Sequence, residues 1–157
     1  MGMNTRLSPP APITEEHRIS RFDCGVPSLN EYLKKVAFRD QLAKRARTYV
    51  VADDQRVLGY YCLATGAIGH TQAPKEQRKE VDPIPVLVLS RVAVHKAYHN
   101  QGIGRALLRN AVQRSLQASK IAGVSALLVH ALSQPARRFY LSNGLLESPI
   151  NPGILYL

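Results

Sequence analysis

A chain of 157 residues with 45% apolar side chains is long enough for one domain with a real core, and too apolar for a disordered segment. No apolar run reaches the ~20 residues of a membrane-spanning helix. Twenty-one Lys and Arg against eleven Asp and Glu give a net charge of +10, which attracts polyanions or, on the alternative reading, only keeps the surface soluble.

The opening Met1-Gly2-Met3-Asn4-Thr5-Arg6 has no secretory apolar core, and Arg6 stands where myristoylation wants Ser or Thr, so a cytoplasmic protein is expected. Residues 1–20, with Ser8-Pro9-Pro10-Ala11-Pro12, read as an extended lead-in. Ser28-Leu29-Asn30-Glu31 has the form of a capping box opening a helix to about Arg45. Leu29, Tyr32, Leu33 and Val36 make its apolar stripe; Lys34, Lys35, Arg39, Lys44, Arg45 and Arg47 make its basic faces. A hairpin comes next, with strands Thr48–Ala52 and Val57–Leu63 around the turn Asp53-Asp54-Gln55. The polar stretch His70–Asp82 is expected to be a solvated loop. Val86–Val94 is nearly all apolar and reads as a central strand buried on both faces. After a glycine turn, Leu107, Leu108, Ala111, Val112 and Leu116 recur at helical spacing. Ala126–Leu132 reads as a second buried strand. Ser133 caps a last helix with Pro135 in its first turn, Ala136, Phe139, Tyr140 and Asn143 on one face and Gly144 as its stop. Ile154–Leu157 is a candidate closing strand. The order predicts one domain over 1–157 of the α/β class, a mixed (α+β) sheet covered by helices. Cys24 and Cys62 are expected to be reduced core thiols, and the five histidines lack metal-ligand spacing, so no metal is expected.

The turn Asn100-Gln101-Gly102-Ile103-Gly104-Arg105-Ala106 joins the central strand to a helix. The first amides of a helix lack intrahelical partners, and the helix dipole adds positive charge, so such a turn suits an anion. A dinucleotide fold would want a third glycine and a later acidic residue; an NTP-binding loop would want Gly-Lys-Ser or Gly-Lys-Thr. Neither is present. An ordinary strand-to-helix turn is the other reading.

Val92-Ala93-Val94-His95-Lys96-Ala97-Tyr98-His99-Asn100-Gln101-Gly102-Ile103-Gly104-Arg105-Ala106-Leu107-Leu108 resembles the acetyl-CoA signature of the GNAT N-acetyltransferases, in which Arg or Gln, two residues, Gly, one residue, and Gly or Ala succeed one another. His99 departs from the first position of that pattern. Val129–Ala131 through Arg138–Leu145 resembles the later strand and helix of the same family, with Leu145 in place of its usual Phe. Phe22–Leu33, Asp82-Pro83-Ile84-Pro85 leading into Leu89–Val94, and Ser148-Pro149…Asn151-Pro152 resemble the GNAT-fold toxins of bacterial type II toxin–antitoxin modules.

The resemblance implies an acyl-CoA N-acyltransferase fold with a splayed central strand and helices on both faces. It implies acetyl-CoA as cosubstrate, held by the backbone of Val92, Ala93 and Val94 and by the turn Asn100–Ala106. Tyr140 is implied as the acid that protonates the leaving thiolate; by spacing alone it would be a core tyrosine. The implied reaction is acetylation of the α-amino group of aminoacyl-tRNA, which inhibits translation. A ribbon-helix-helix antitoxin and a homodimer are implied partners. No carboxylate lies in Val86–Val94, so no strand-borne base is apparent. An α-amine titrates near pH ~8 and needs less help from a base than a lysine. Arg91 could contact the tRNA 3′ end or could be a salt-bridge partner; the basic helix, Arg78 and Lys79 are candidate phosphate contacts. Two other classes compete: a GNAT enzyme for small amines or protein N-termini, and a non-enzymatic nucleic-acid-binding module.

Overall fold

The computed structural model describes residues 7–68, 84–131, 133–148 and 154–156. The expected loop His70–Asp82, Leu132 at the end of the second buried strand, and Pro149–Pro152 lie outside them. The described residues fall into two compact units, whose boundaries lie inside two strands and one helix.

The first unit takes the described residues up to Leu63 together with Arg91–Ala111. It contains β1 (Ala11–Pro12), α1 (Pro27–Lys35), α2 (Ala37–Leu42), β2 (Arg47–Asp53), the first part of β3 (Arg56–Ile68), the last part of β4 (Ile84–Val94), a 3-10 turn at Lys96–Tyr98 and the start of α3 (Ile103–Ile121). The strand order is β1-β2-β3-β4. β2 and β3 form the expected hairpin, because Asp54 and Gln55 both adopt positive φ (50° and 71°), the twist that a two-residue hairpin loop needs. The lead-in does more than run extended: Ala11 and Pro12 pair with Val50 and Tyr49 as an edge strand.

Alternation along β3 covers this part of the sheet on both faces. Tyr60 and Cys62 join Phe22, Cys24, Tyr32, Leu33, Ala37, Val50 and Ala93 in one buried cluster under α1 and α2. Gly59 and Tyr61 face the other way. A Cβ at Gly59 would stand 3.1 Å from Leu107, 3.2 Å from Ile103 and 3.3 Å from the Ala93 carbonyl, so only glycine lets α3 approach this closely. The Tyr61 hydroxyl donates to Asn110 Oδ1 of α3 at 2.5 Å. Cys24 and Cys62 are buried free thiols, as expected.

One helical expectation is corrected. The helix does not start on a Ser28 cap and does not run unbroken to Arg45. Val26 is the N-cap, without a side-chain bond, and Pro27 opens α1. Proline has no N–H to satisfy and its φ is already helical, so it starts the helix unaided. Glu31 pairs with Lys35 at 3.7 Å rather than reaching back. Val36 (φ −123°) breaks the helix, and α2 ends at Leu42. The apolar stripe itself holds: Tyr32 and Leu33 are buried, and Leu29 and Val36 pack against the cluster.

The second unit takes the described residues of Ala64–Ser90 and Val112–Leu157. Its strand order is β3-β4, then β5 (Ala126–His130), β7 (Ile154–Tyr156) and β6 (Leu146–Glu147). β4 and β5 are parallel, Val86 opposite Ala126 through Leu89 opposite Val129; β5–β7 and β7–β6 are antiparallel. The sheet is thus mixed, and Ile84, Val86, Ala126 and Leu128 form its buried cluster with Val88 against them. The stripe of α3 needs one correction: Leu107, Leu108 and Ala111 are buried, but Ser115 is buried and Leu116 is 59% exposed. Residues 107, 111 and 115 lie on one line four apart, and 116 has turned away from it. α4 (Gln134–Ser142) matches its expectation. The Ser133 hydroxyl accepts from the Ala136 amide at 3.2 Å, Tyr140 is buried on its inner face, and Gly144 (φ 98°) ends the element.

Candidate active site

In the first unit, Val92, Ala93 and Val94 close β4 and lead into the glycine turn. Three contacts fix the exit from the strand. The His95 amide donates to the Leu58 carbonyl at 2.7 Å, and the Lys96 amide to the Asp23 carbonyl at 2.8 Å. Leu58 itself stands at a bulge, where the β2–β3 register slips between Val51 and Ala52 and leaves it without a β2 partner. His95 Nδ1 accepts from the Ala97 amide at 3.1 Å and starts the 3-10 turn.

His99 lies 2.7 Å by its Nε2 from the Val94 carbonyl, so that nitrogen carries the donated proton. This position, the departure from the family's Arg or Gln, ties the turn back to the strand end. Asn100 (φ 63°) and Gly102 (φ 85°) then reverse the chain. The left-handed conformation is open to Gly and tolerable for Asn, which is why these two residues sit here. Ala106 N donates to the Gly102 carbonyl at 3.0 Å, the first intrahelical bond of α3. The amides of Ile103, Gly104 and Arg105 precede it and have no partner one turn back, so the helix start can accept an anion, with the exposed Arg105 adding a cation.

The Phe22–Leu33 segment supports this turn from below. Asp23 Oδ1 accepts from the Gly25 amide at 2.9 Å and from Asn30 Nδ2 at 3.0 Å, and Oδ2 pairs with Lys96 Nζ at 3.1 Å. The Gly25 amide, Asn30 and Lys96 hold the Asp23 carboxyl far below the ordinary carboxylate range. Asn30 Oδ1 accepts from the Cys24 amide at 2.9 Å. Composition signals none of these bonds; only the motif resemblance marks the segment.

Tyr140 belongs to the second unit. It is 7% exposed, and burial pushes its phenol up to about 12, so it is protonated throughout the neutral range. Among the described residues none hydrogen-bonds its hydroxyl, which leaves that proton to donate. Arg137 of the same helix pairs with Glu147 of β6. Among the described residues no group of His, Cys, Asp and Glu could hold a metal ion, and no helix is long and apolar enough to cross a membrane.

Residues 44–144 match the acetyltransferase (GNAT) domain family. The chain is 40% identical over 146 residues to a tRNA-acetylating toxin of Mycobacterium tuberculosis, covering 92% of this chain and 88% of that one. Among solved structures it is similar to the toxin AtaT complexed with acetyl-methionyl-tRNAfMet, at TM-score 0.87 and 29% identity, with 96% and 94% of the two chains covered. It is also similar to a tyrosine-to-phenylalanine mutant of AtaT bound to the C-terminus of the antitoxin AtaR and acetyl-CoA, at TM-score 0.81 and 28% identity over 96% and 92%. With its mixed sheet, its glycine turn at a helix start and a family match over most of its length, this chain belongs to the GNAT acetyltransferases.

Proposed function

We propose that the chain is a toxin that transfers the acetyl group of acetyl-CoA to the α-amino group of an aminoacyl-tRNA and thereby inhibits translation. The observation that carries the reading is the start of α3, where three amides without intrahelical partners come after Gly102, directly beyond Val92–Val94. The tRNA-acetylating relative and the AtaT complexes support an aminoacyl-tRNA acceptor and an antitoxin partner. The turn Asn100–Ala106 holds the coenzyme's phosphates, and the backbone of Val92, Ala93 and Val94 takes its pantetheine arm and the oxyanion. The neutral α-amine attacks the thioester carbonyl. The tetrahedral intermediate collapses with cleavage of the C–S bond, the Tyr140 phenol protonates the thiolate, and the amine's surplus proton leaves to water, from which the Tyr140 phenolate is reprotonated. β4 carries no carboxylate to act as base; an aminoacyl ester, whose amine is largely neutral near pH ~8, does not need one.

The net charge of +10 suits this acceptor, and the same charge suits an acidic antitoxin segment. Residues 1–157 act as one acetyltransferase domain, a homodimer in the cytoplasm, held silent by a ribbon-helix-helix antitoxin. The test is incubation with labelled acetyl-CoA and bulk charged tRNA. Label on the α-amine of the aminoacyl ester is expected. Label transferred only to small amines or peptide N-termini overturns the toxin reading and leaves a GNAT enzyme of the other class.

A further inference from the structure

Arg91 is the one basic residue of β4, and it lies on the strand face of Ala93, toward the cluster of Tyr32, Tyr60 and Cys62. Its guanidinium carbon stands 3.7 Å from the centroid of the Tyr32 ring. That ring is a fixed platform. Tyr32 is 7% exposed and stacks on Tyr60 at 6.5 Å with 17° between the planes. The Tyr32 hydroxyl donates to Asp40 Oδ2 at 3.1 Å, and the Tyr60 hydroxyl to the Leu29 carbonyl at 2.7 Å. Asp40 also accepts from Arg45 Nε at 3.0 Å, so its carboxylate already has a cation.

Arg91 itself forms no ion pair among the described residues, although it is half-buried. The sequence left a salt bridge and a substrate contact open, and among the described residues no carboxylate pairs with Arg91. A guanidinium held over a ring makes no ion pair with it and keeps N–H groups for other acceptors, and its planar fork matches the oxygens of a phosphate. A partly desolvated cation without a counter-ion is a costly arrangement that an arriving anion relieves. Arg91 also precedes Val94 by three residues, about 10 Å of strand, and so stands well upstream of the turn where the coenzyme's phosphates belong.

We propose that Arg91 is an acceptor-binding residue. Its N–H groups take the phosphodiester of the acceptor's terminal nucleotide, the phosphate nearest the reacting amine, with Tyr32 and Asp40 positioning it. This rests on the reading of the acceptor as charged tRNA. The coenzyme's phosphates are the other source of the same chemistry, and the test separates the two.

Full-length wild type, Arg91→Ala, Arg91→Gln and Arg91→Lys are compared on two acceptors: aminoacyl-adenosine, which has no phosphate, and the aminoacylated trinucleotide cytidyl-cytidyl-adenosine. The wild type is expected to prefer the trinucleotide. Arg91→Ala lowers that preference about tenfold or more, through KM rather than kcat, and Arg91→Lys restores only part of it because it lacks the planar fork. A preference unchanged in a folded variant overturns the proposal. So does a loss of acetyl-CoA affinity of tenfold or more in calorimetry, which assigns Arg91 to the coenzyme. Should the wild type acetylate neither truncated acceptor, bulk charged tRNA decides on the proposed reaction, and anisotropy with the unacylated trinucleotide decides on Arg91. Binding weakened tenfold by Arg91→Ala supports the proposal; equal binding overturns it. Where Arg91→Ala does not fold by thermal melting, Arg91→Gln is read in its place.

Discussion

Tyr140 combines two properties that pull in different directions. Burial raises its phenol to about 12, which keeps the proton in place but makes it a weaker acid toward a thiolate. A thiolate leaving group is nonetheless basic enough to gain from a positioned donor. Tyr140→Phe is therefore expected to lower kcat by roughly 10²–10⁴-fold with acetyl-CoA affinity retained, and to relieve growth arrest on expression. The pH dependence has a definite sign. The rate rises as the acceptor's α-amine loses its proton, toward a plateau near pH ~8. The raised phenol stays protonated beyond that, so the rate has no falling limb below pH ~10. Single-turnover rates across this range check it, and a fall between pH ~8 and ~9 would give the acid to another group. Much of this residue was legible in the chain. Ser133, Pro135 and Gly144 punctuate α4, and the spacing of Ala136, Phe139 and Asn143 fixes its inner face. The platform under Arg91 was not legible, because Tyr32 and Arg91 are far apart in sequence and nothing local couples them.

At the scale of elements, the joint between β4 and α3 depends on two glycines for different reasons. Gly102 is required for its φ of 85°; a Cβ there would meet nothing within 4 Å. Gly59 is required for space under α3. Gly102→Ala should thus cost roughly 1–2 kcal/mol through the left-handed backbone and misdirect the first amides of α3. Calorimetry is expected to show acetyl-CoA binding weakened about tenfold, with only a few degrees lost in Tm. Unchanged binding in the folded variant would separate the turn from the coenzyme. The β2–β3 hairpin, β4, β5, the turn and α4 could be read from periodicity and punctuation, but the two-residue strands β1 and β6 could not. Nor could the break at Val36. Leu29, Tyr32, Leu33, Val36 and the basic residues beyond them keep helical spacing through it. The bonds that span the break are tertiary, from the Tyr32 hydroxyl to Asp40 and from Arg45 to the same carboxylate. Pro27 outcompeted Ser28 as the helix start because a capping side chain only helps where an amide is left waiting.

For the whole molecule, the net charge of +10 makes a prediction that separates the two substrates. Basic residues are spread over α1 and α2 (Lys34, Lys35, Arg39), the hairpin (Arg47, Arg56) and α3 (Arg105, Arg109, Arg114, Lys120). Part of this charge is answered inside the chain, as Lys35 is by Glu31 and Lys96 by Asp23. The remainder would meet tRNA as a broad field rather than as single contacts. A polyelectrolyte acceptor releases counterions when it binds, and its affinity falls steeply with salt, by about 0.7–0.9 of a decade per decade of salt for each phosphate neutralised. Acetyl-CoA carries few phosphates, and in the proposed site backbone amides would hold them without that release. Between 50 and 200 mM monovalent salt, KM for aminoacyl-tRNA should therefore rise roughly tenfold or more, while KM for acetyl-CoA shifts by a small factor and kcat holds. Steady-state kinetics with each substrate varied in turn measures both slopes. A flat response for tRNA would mean that the positive surface serves solubility alone, and the acceptor would then have to be held by Arg91 and a few neighbours. A steep response that persists in Arg91→Ala would place the bulk of the affinity on the distributed charge and confine Arg91 to the terminal nucleotide, the role proposed from its aromatic platform and its half-buried place on β4.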